Sequence, residues 1–181
     1  MHVYHFSEDP HIPQFVPRSP RTHPEAEPLV YAIDADHSPL YYLPRDCPRV
    51  CYWLLQTTTQ EDRERYYANV TASKVIVIES AWGPRLQSVT LYRYTFDSEY
   101  LTATGDHGVY VSRNTIMPLR VEPVINLLEQ LTQFDVELRI CPSLVPIGQA
   151  IVKTTLHFSL IRMRNAQGWD GAKGTPVGHP L

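Results

Sequence analysis

The chain has 181 residues, of which 43% are hydrophobic and 19% are charged, as is typical of one ordinary globular domain. Its 16 basic and 19 acidic residues give a formal net charge of −3, which argues against non-specific nucleic-acid binding. No apolar run approaches the roughly 20 residues of a membrane helix, and no secretory signal opens the sequence. We therefore expect a cytoplasmic protein with no membrane association.

The sequence of the first part of the chain predicts short strands separated by stiff loops. Nine of the 16 prolines of the chain lie between Pro10 and Pro48, and proline restricts the backbone and removes a hydrogen-bond donor. Thr59, followed by the acidic residues Glu61 and Asp62, predicts the N-cap and first turn of a helix that extends to about Asn69. The predicted strands of this part are residues 2–6, 29–33 and 49–55.

The rest of the chain predicts strands and helices without a regular βαβ alternation. Pro123 is expected in the first turn of a helix that extends to about Phe134, and a helix over residues 144–156 is broken near Pro146 and Gly148. This pattern predicts an α+β fold with a mixed or mostly antiparallel sheet and two to four helices. The predicted strands are residues 74–79, 87–96, 108–112 and 136–140, with 115–121 extended and 158–163 a strand or a helical turn.

Composition predicts one domain over residues 1–166, followed by a tail. Residues 167–181 carry glycine and proline at short intervals and almost no apolar pattern. Burial therefore cannot offset the entropy that this segment would lose on ordering. We predict a flexible Gly/Pro-rich tail over residues 167–181.

The sequence gives little support for a metal centre or for the common catalytic motifs. Three cysteines are an odd number, and Cys47 and Cys51 lack the second pair of ligands that zinc sites usually have. Metalloprotease, P-loop, α/β-hydrolase and Rossmann motifs are also absent from the sequence. We therefore expect no metal cofactor. A metal-dependent hydrolase is an alternative, with His5, His37 and either Asp34 or Asp36 as its ligands.

Two polar side chains fall within segments that are otherwise typical of strands. His5 alternates with Val3 and is expected on the same face, either as a hydrogen-bonded core histidine or as a functional group. Glu122 is expected where a strand becomes a helix. The Glu122 side chain is expected either to place a negative charge at the N-terminus of the helix or to act as a functional carboxylate.

Arginines and tyrosines suggest a pocket for an anionic, flat ligand. Arg18 and Arg21 lie in the first loop, and Arg45 and Arg49 flank Cys47. Because a guanidinium group matches phosphate or carboxylate, convergence of these arginines would form an anion site. The tyrosines on or near strands are candidates for packing or for stacking on a ligand: Tyr31, Tyr41, Tyr42, Tyr52, Tyr92, Tyr94 and Tyr110.

The opening Tyr-His-Phe-Ser-Glu-Asp-Pro of residues 4–10, together with Pro-Arg-Asp-Cys-Pro-Arg at 44–49 and Ile-Arg-Met-Arg-Asn at 161–165, resembles a family of small uncharacterised bacterial proteins. The resemblance spans nearly the whole predicted domain. It implies no particular activity.

A second resemblance concerns the ADP-ribosyltransferase fold. Tyr4-His5, Tyr31-Ala32 and Val121-Glu122 are similar, in this order, to three positions of that fold. The resemblance implies that His5 holds ribose hydroxyls of NAD+, that Tyr31 stacks on nicotinamide, and that Glu122 stabilises the positive charge that develops on the ribose. Tyr41 and Tyr42 are alternatives for the stacking role.

These observations lead to two predictions of function. The first is an ADP-ribosyltransferase-like protein that binds NAD+ or a related nucleotide and transfers ADP-ribose to an acceptor that the sequence does not identify. The second is a non-catalytic domain that binds an anionic small molecule or another protein. The predicted catalytic residues are His5, Tyr31 and Glu122. The predicted nucleotide-binding residues are His5, Arg18, Tyr31, Arg45 and Arg49.

Overall fold

The structure is a computed structural model that describes residues 1–20 and 24–170. These residues fall into two compact units. Unit 1 comprises residues 1–45 and 89–125, and unit 2 comprises residues 46–88 and 126–170. The predicted α+β class is confirmed, because the described residues form four α-helices and two mostly antiparallel sheets. The single domain over residues 1–166 stays a prediction.

The described residues form ten strands and four α-helices. The strands are β1 (His2–Ser7), β2 (Val30–Ile33), β3 (Arg49–Trp53), β4 (Lys74–Glu79), β5 (Leu91–Asp97), β6 (Thr102–Ala103), β7 (Val109–Ser112), β8 (Arg120–Val124), β9 (Val136–Cys141) and β10 (His157–Ile161). The helices are α1 (Gln60–Tyr67), α2 (Gly83–Ser88), α3 (Leu127–Gln133) and α4 (Val145–Ile151). Among the described residues, none of the helices has both the length and the apolar character of a transmembrane span.

Unit 1 contains a six-stranded antiparallel sheet in the order β6-β7-β2-β1-β5-β8. Side chains alternate between its two faces, and directly paired residues share a face. We call the face that carries Val3, Tyr94 and Phe96 the core face, because these residues are fully buried in one cluster. The opposite face carries Tyr4, Phe6 and Arg93, and we call it the arginine face.

The loop after β1 covers the core face of unit 1. Phe15 packs edge-on against Tyr94 and Phe96, with ring centroids 5.0 and 5.1 Å apart. The hydroxyl of Tyr94 accepts a hydrogen bond from the backbone N–H of Ile12 and donates one to the carbonyl oxygen of Asp9. The core of unit 1 is therefore closed by a loop that aromatic packing and one phenol hold in place.

Unit 2 contains a four-stranded sheet in the order β10-β3-β4-β9, in which only the β4–β9 pair is parallel. Every residue of β3 and β4 is buried, including the charged residues Arg49, Lys74 and Glu79 at their ends. The apolar runs of these strands are typical of central strands. One face packs against α1 and α4 in a cluster that includes Tyr52, Val75, Tyr67 and Ile151. The segment after β10 joins this cluster through Trp169.

The predicted start of α1 is confirmed and has a second function in the structure. Thr59 is the N-cap, and its side chain accepts from the backbone N–H of Asp62. The carboxylate of Asp62 in turn accepts from the backbone N–H and the hydroxyl of Thr155, at 2.7 and 2.6 Å. The helix cap therefore also fixes the segment that leads into β10.

Two predicted elements between residues 83 and 134 are present but begin later than predicted. Residues 87 and 88 end α2 instead of beginning a strand, and β5 starts at Leu91. Pro123 lies in β8, and the next helix begins only at Leu127. The placement of Pro123 is physically reasonable, because β8 is an edge strand, where proline is tolerated. Glu122 is consequently a strand residue and not a helix-terminal one.

The C-terminal elements are shorter than the sequence pattern predicts. Helix α4 ends at Ile151 instead of Leu156. Gly148 lies within it, and a Cβ there would lie 2.7 Å from the ring of Trp169. The backbone N–H of Gln167 donates to the buried carboxylate of Glu79. The predicted flexible tail thus begins in a segment that contacts unit 2, and residues 171–181 lie outside the described residues.

Candidate functional site

His5 and Tyr31, two of the three predicted catalytic residues, lie beside each other in unit 1. The Nδ1 atom of His5 is 3.0 Å from the carbonyl oxygen of Tyr31. The imidazole lies on the core face, as the alternation with Val3 predicts, and its ring centroid is 4.8 Å from that of Phe15. The side chain of Tyr31 is on the arginine face, so the contact is with the Tyr31 main chain.

Glu122, the third predicted residue, lies on the other face of the sheet from His5. It pairs with Arg93 across β5 and β8, whereas its neighbour Val121 pairs with Tyr94 on the core face. The sheet itself therefore separates the Glu122 carboxylate from the His5 imidazole. The structure does not bring these two side chains together.

Glu122 instead lies between two arginines, and we call Arg93, Arg120 and Glu122 the arginine cluster. Its Oε2 atom is 3.0 Å from Nη2 of Arg93 and 3.1 Å from Nε of Arg120. One carboxylate thus faces two guanidinium groups. The cluster carries a net positive charge, on a chain whose formal net charge is −3.

Arg93 is the more buried arginine of the cluster and makes further contacts. Its Cζ atom is 5.3 Å from the ring centroid of Tyr4, which is a cation–π distance. Burial lowers the pKa of Arg93, but hydrogen bonds and charge from Glu122 and Tyr42 outweigh burial and raise it. The Nε atom is buried and has no hydrogen-bond partner within the described part of the chain. Arg93 therefore stays charged and keeps an unused donor.

Aromatic side chains border the arginine cluster. Phe6 lies directly opposite Arg93 on β1. Its ring stacks parallel to that of Tyr41 and meets that of Tyr42 edge-on, with centroids 6.5 and 5.2 Å apart. A short 3-10 helix, Ser38–Tyr41, positions both tyrosines. The arginine face thus combines guanidinium groups with aromatic rings.

The structure shows other contacts for the arginines that the sequence singled out. Arg18 is in a short backbone bridge with Leu29, and the backbone N–H of Arg45 donates to Glu8. Arg49 belongs to unit 2, where its Nη1 atom donates to a carbonyl oxygen 2.9 Å away. Arg21 and His23 fall outside the described residues. The sequence did hold a clue to Arg93, which alternates with Leu91 and Thr95 at positions typical of an apolar face.

A second polar cluster of unit 1 surrounds His37. Its Nδ1 atom lies 2.9 Å from Oδ1 of Asp34, and Oδ1 also accepts from the His37 backbone N–H at 2.8 Å. The Nε2 atom is 3.6 Å from Oδ2 of Asp36. Of the ligands in the metal-dependent hydrolase alternative, His37 therefore adjoins both candidate aspartates. His5 packs against Phe15 instead.

The three cysteines lie in unit 2, and burial raises the pKa of each thiol. Burial raises the pKa of Cys47 and of Cys51 to about 12. Burial also raises the pKa of Cys141, whose thiol donates to the carbonyl oxygen of Ser143. All three are free cysteines, and their raised pKa values make them poor nucleophiles at neutral pH, because the thiolate is the nucleophilic form.

The fold and the site define an α+β protein whose antiparallel sheet carries a charged, aromatic-bordered cluster on one face. The chain belongs to a family of unknown function, DUF6886, whose model matches residues 4–166. This match confirms the resemblance to an uncharacterised family. No curated protein and no solved structure matches the chain, and the comparisons show no ADP-ribosyltransferase resemblance.

Proposed function

We propose that unit 1 binds an anionic, nucleotide-like small molecule at the arginine cluster. The observation that carries the proposal is the position of one carboxylate, Glu122, between two guanidinium groups. Each guanidinium has five N–H donors in a planar fork that matches phosphate oxygens. Glu122 contacts one nitrogen atom of each arginine. The remaining N–H donors and the net positive charge of the cluster therefore favour binding of an anion.

The surroundings of the cluster favour a ligand with a flat ring as well as a phosphate. The rings of Tyr4 and Phe6 lie on the same face as Arg93. Aromatic side chains stack on the flat rings of nucleobases or nicotinamide, and this stacking depends little on which ring is bound. In this proposal Arg120, which is about half exposed, makes the first contact with phosphate, and Arg93 supplies the buried Nε donor.

A second candidate function is catalytic: the protein would bind NAD+ and transfer its ADP-ribose group to an acceptor. Its support is that the side chains of Tyr31 and Glu122 lie on the same face of the sheet, although His5 lies on the other face. Stabilisation of a developing ribosyl cation requires Glu122 to act as an available negative charge. Two arginines already offset that charge, so we favour binding as the function and treat transfer as the second candidate.

The test is a calorimetric titration of the chain with NAD+, ADP-ribose and inorganic pyrophosphate at low salt. Arg120→Gln should weaken binding by a factor of roughly 10 to 150, because a hydrogen bond to a charged group contributes about 1.5–3 kcal/mol. Glu122→Gln should strengthen binding several-fold, because it removes the negative charge that competes for the arginines. Arg113→Gln is the matched control, because Arg113 forms an exposed ion pair with Glu27 elsewhere in unit 1.

The same variants separate binding from catalysis. In the binding proposal NAD+ is bound without release of nicotinamide, and Glu122→Gln binds it more tightly. If the wild type releases nicotinamide and Glu122→Gln does not, Glu122 is catalytic and the second candidate is correct. Unchanged affinity in both Arg120→Gln and Glu122→Gln would contradict the arginine cluster as the binding site.

A further inference from the structure

Strand β8 forms an apolar edge of the unit 1 sheet. It is the last strand of the order β6-β7-β2-β1-β5-β8 and pairs within the described residues with β5 alone. Exposed apolar residues occupy alternate positions in and around it: Met117, Leu119, Val121, Pro123 and Ile125. Their exposed fractions are large, reaching 72% for Met117 and 59% for Leu119. Open strand edges of this kind are sites of pairing with another chain.

We propose that β8 pairs with β8 of a second copy of this chain, antiparallel and about a two-fold axis at Val121. The order of charged residues along β8 indicates that its partner is a second copy of the same strand. Arg120 and Glu122 flank Val121. In this register, Arg120 of each copy lies opposite Glu122 of the other copy, on the same face of the joined sheet.

The apolar residues are self-complementary in the same register. Leu119 of one copy lies opposite Pro123 of the other, and Met117 lies opposite Ile125. Pairing therefore covers all the alternate apolar positions without placing like charges opposite each other. A one-residue slip would place Glu122 opposite Val121 and lose the charge pairing, so the sequence specifies one register.

Pro123 shapes the expected assembly. Proline has no N–H to donate to a neighbouring strand, so the new ladder has few backbone hydrogen bonds and side chains contribute most of the contact. The other edge of the sheet is β6, which has only two residues. Because a two-fold contact uses the same surface on both copies, the assembly closes as a dimer and does not extend into a fibre.

A charge-exchange experiment tests the proposal by sedimentation over a wide range of protein concentration. The wild type should shift from the mass of one chain toward twice that mass as concentration rises. Arg120→Glu and Glu122→Arg should each stay monomeric, because each places like charges opposite one another. A mixture of the two variants should form a mixed dimer, because every opposed pair is then attractive.

A second pair of variants leaves the arginine cluster intact. Leu119→Lys should reduce dimerisation, whereas Tyr100→Lys, at a residue 68% exposed elsewhere in unit 1, should not. Circular dichroism would establish that each variant is folded. A wild type that stays monomeric throughout, or a dimer that Arg120→Glu and Leu119→Lys leave unchanged, would overturn the proposal. The outcome does not depend on ligand binding at the arginine cluster.

Discussion

Arg93 and Glu122 lie directly opposite each other on β5 and β8, with Nη2 of Arg93 3.0 Å from Oε2 of Glu122. The side chain of Arg93 is 28% exposed, whereas that of Arg120 is 53% exposed. An ion pair is worth more where water screens it less. The two contacts of Glu122 therefore differ in strength although their lengths are similar.

The first prediction concerns this difference. Double-mutant cycles of Arg93→Gln and of Arg120→Gln, each with Glu122→Gln, should give coupling energies of about 1 kcal/mol for Arg93 and about 0.3 kcal/mol for Arg120. Both should be measured by urea unfolding at low and high salt. The Arg120 coupling should fall more with salt. Equal couplings would show that burial does not distinguish the two pairs.

The second prediction compares two glycines with positive φ. Gly108 and Gly105 have φ values of +78° and +82°. A Cβ at Gly108 would lie 2.7 Å from the carboxylate of Asp34 and would also clash with His37, whereas nothing lies within 4 Å of one at Gly105. Gly105→Ala should therefore cost only the backbone penalty of about 1–2 kcal/mol. Gly108→Ala should cost about 1–3 kcal/mol more, because the Asp34–His37 pair must move.

Chemical denaturation of both variants measures the difference directly. If Gly108→Ala and Gly105→Ala are equally destabilised, the contact with Asp34 and His37 does not constrain the loop.

The third prediction concerns Asp62 and pH. Hydrogen bonds from the Thr155 side chain and backbone lower the pKa of Asp62 from its usual 3.8. A carboxyl group whose pKa is lower in the folded state contributes stability above its unfolded pKa, and that contribution disappears as pH falls through the folded pKa. Asp62→Asn should therefore lower the melting temperature at neutral pH, and the difference from wild type should vanish well below pH 3.8.

Thr155→Val supplies a comparison for Asp62, because it keeps the backbone N–H that donates to the carboxylate. It removes the hydroxyl, which donates to the carboxylate and accepts from the backbone N–H of Thr59. It should lower the melting temperature less than Asp62→Asn does. A constant difference between wild type and Asp62→Asn down to strongly acidic pH would contradict the lowered pKa.

The fourth prediction concerns thiol reactivity. Cys47 and Cys51 are fully buried with a pKa of about 12, whereas Cys141 is partly exposed. A disulfide reagent at neutral pH should therefore modify at most Cys141 in the folded protein, and slowly, because the thiolate is the reactive form. Cys141→Ser should abolish reaction until denaturant is added. Rapid modification of Cys47 in the folded state would contradict its burial.

The parts of the fold that sequence predicts well are those with strong local patterns. The apolar run of β4 and the Thr59 cap of α1 are examples, since each pattern is contained within a few residues. The sequence pattern misplaces Pro123, because the same local sequence is compatible with the first turn of a helix and with an edge strand. Only the pairing with β5 distinguishes them, and that pairing is long-range.

The residues of the candidate site are even harder to predict from local sequence patterns than the strands and helices are. His5 was correctly expected on the face of Val3, because alternation along one strand is local. Arg93 and Glu122 are 29 positions apart in sequence, and no spacing rule connects residues on two paired strands. For the same reason, the sequence could not show whether Arg18, Arg45 and Arg49 converge in one pocket, because nearness along the chain does not determine nearness in space.

The parallel pairing of β4 with β9 also determines the order in which the chain can fold. Ser73, just before β4, donates its backbone N–H to Asp135, just before β9, across 62 positions of sequence. Strands β5 to β8, which belong to unit 1, lie between the two along the chain. During synthesis β3 and β4 can pair at once, but β9 leaves the ribosome only after those four strands. Closing so long a loop is slow, so β4 keeps an open edge in the nascent chain until β9 arrives.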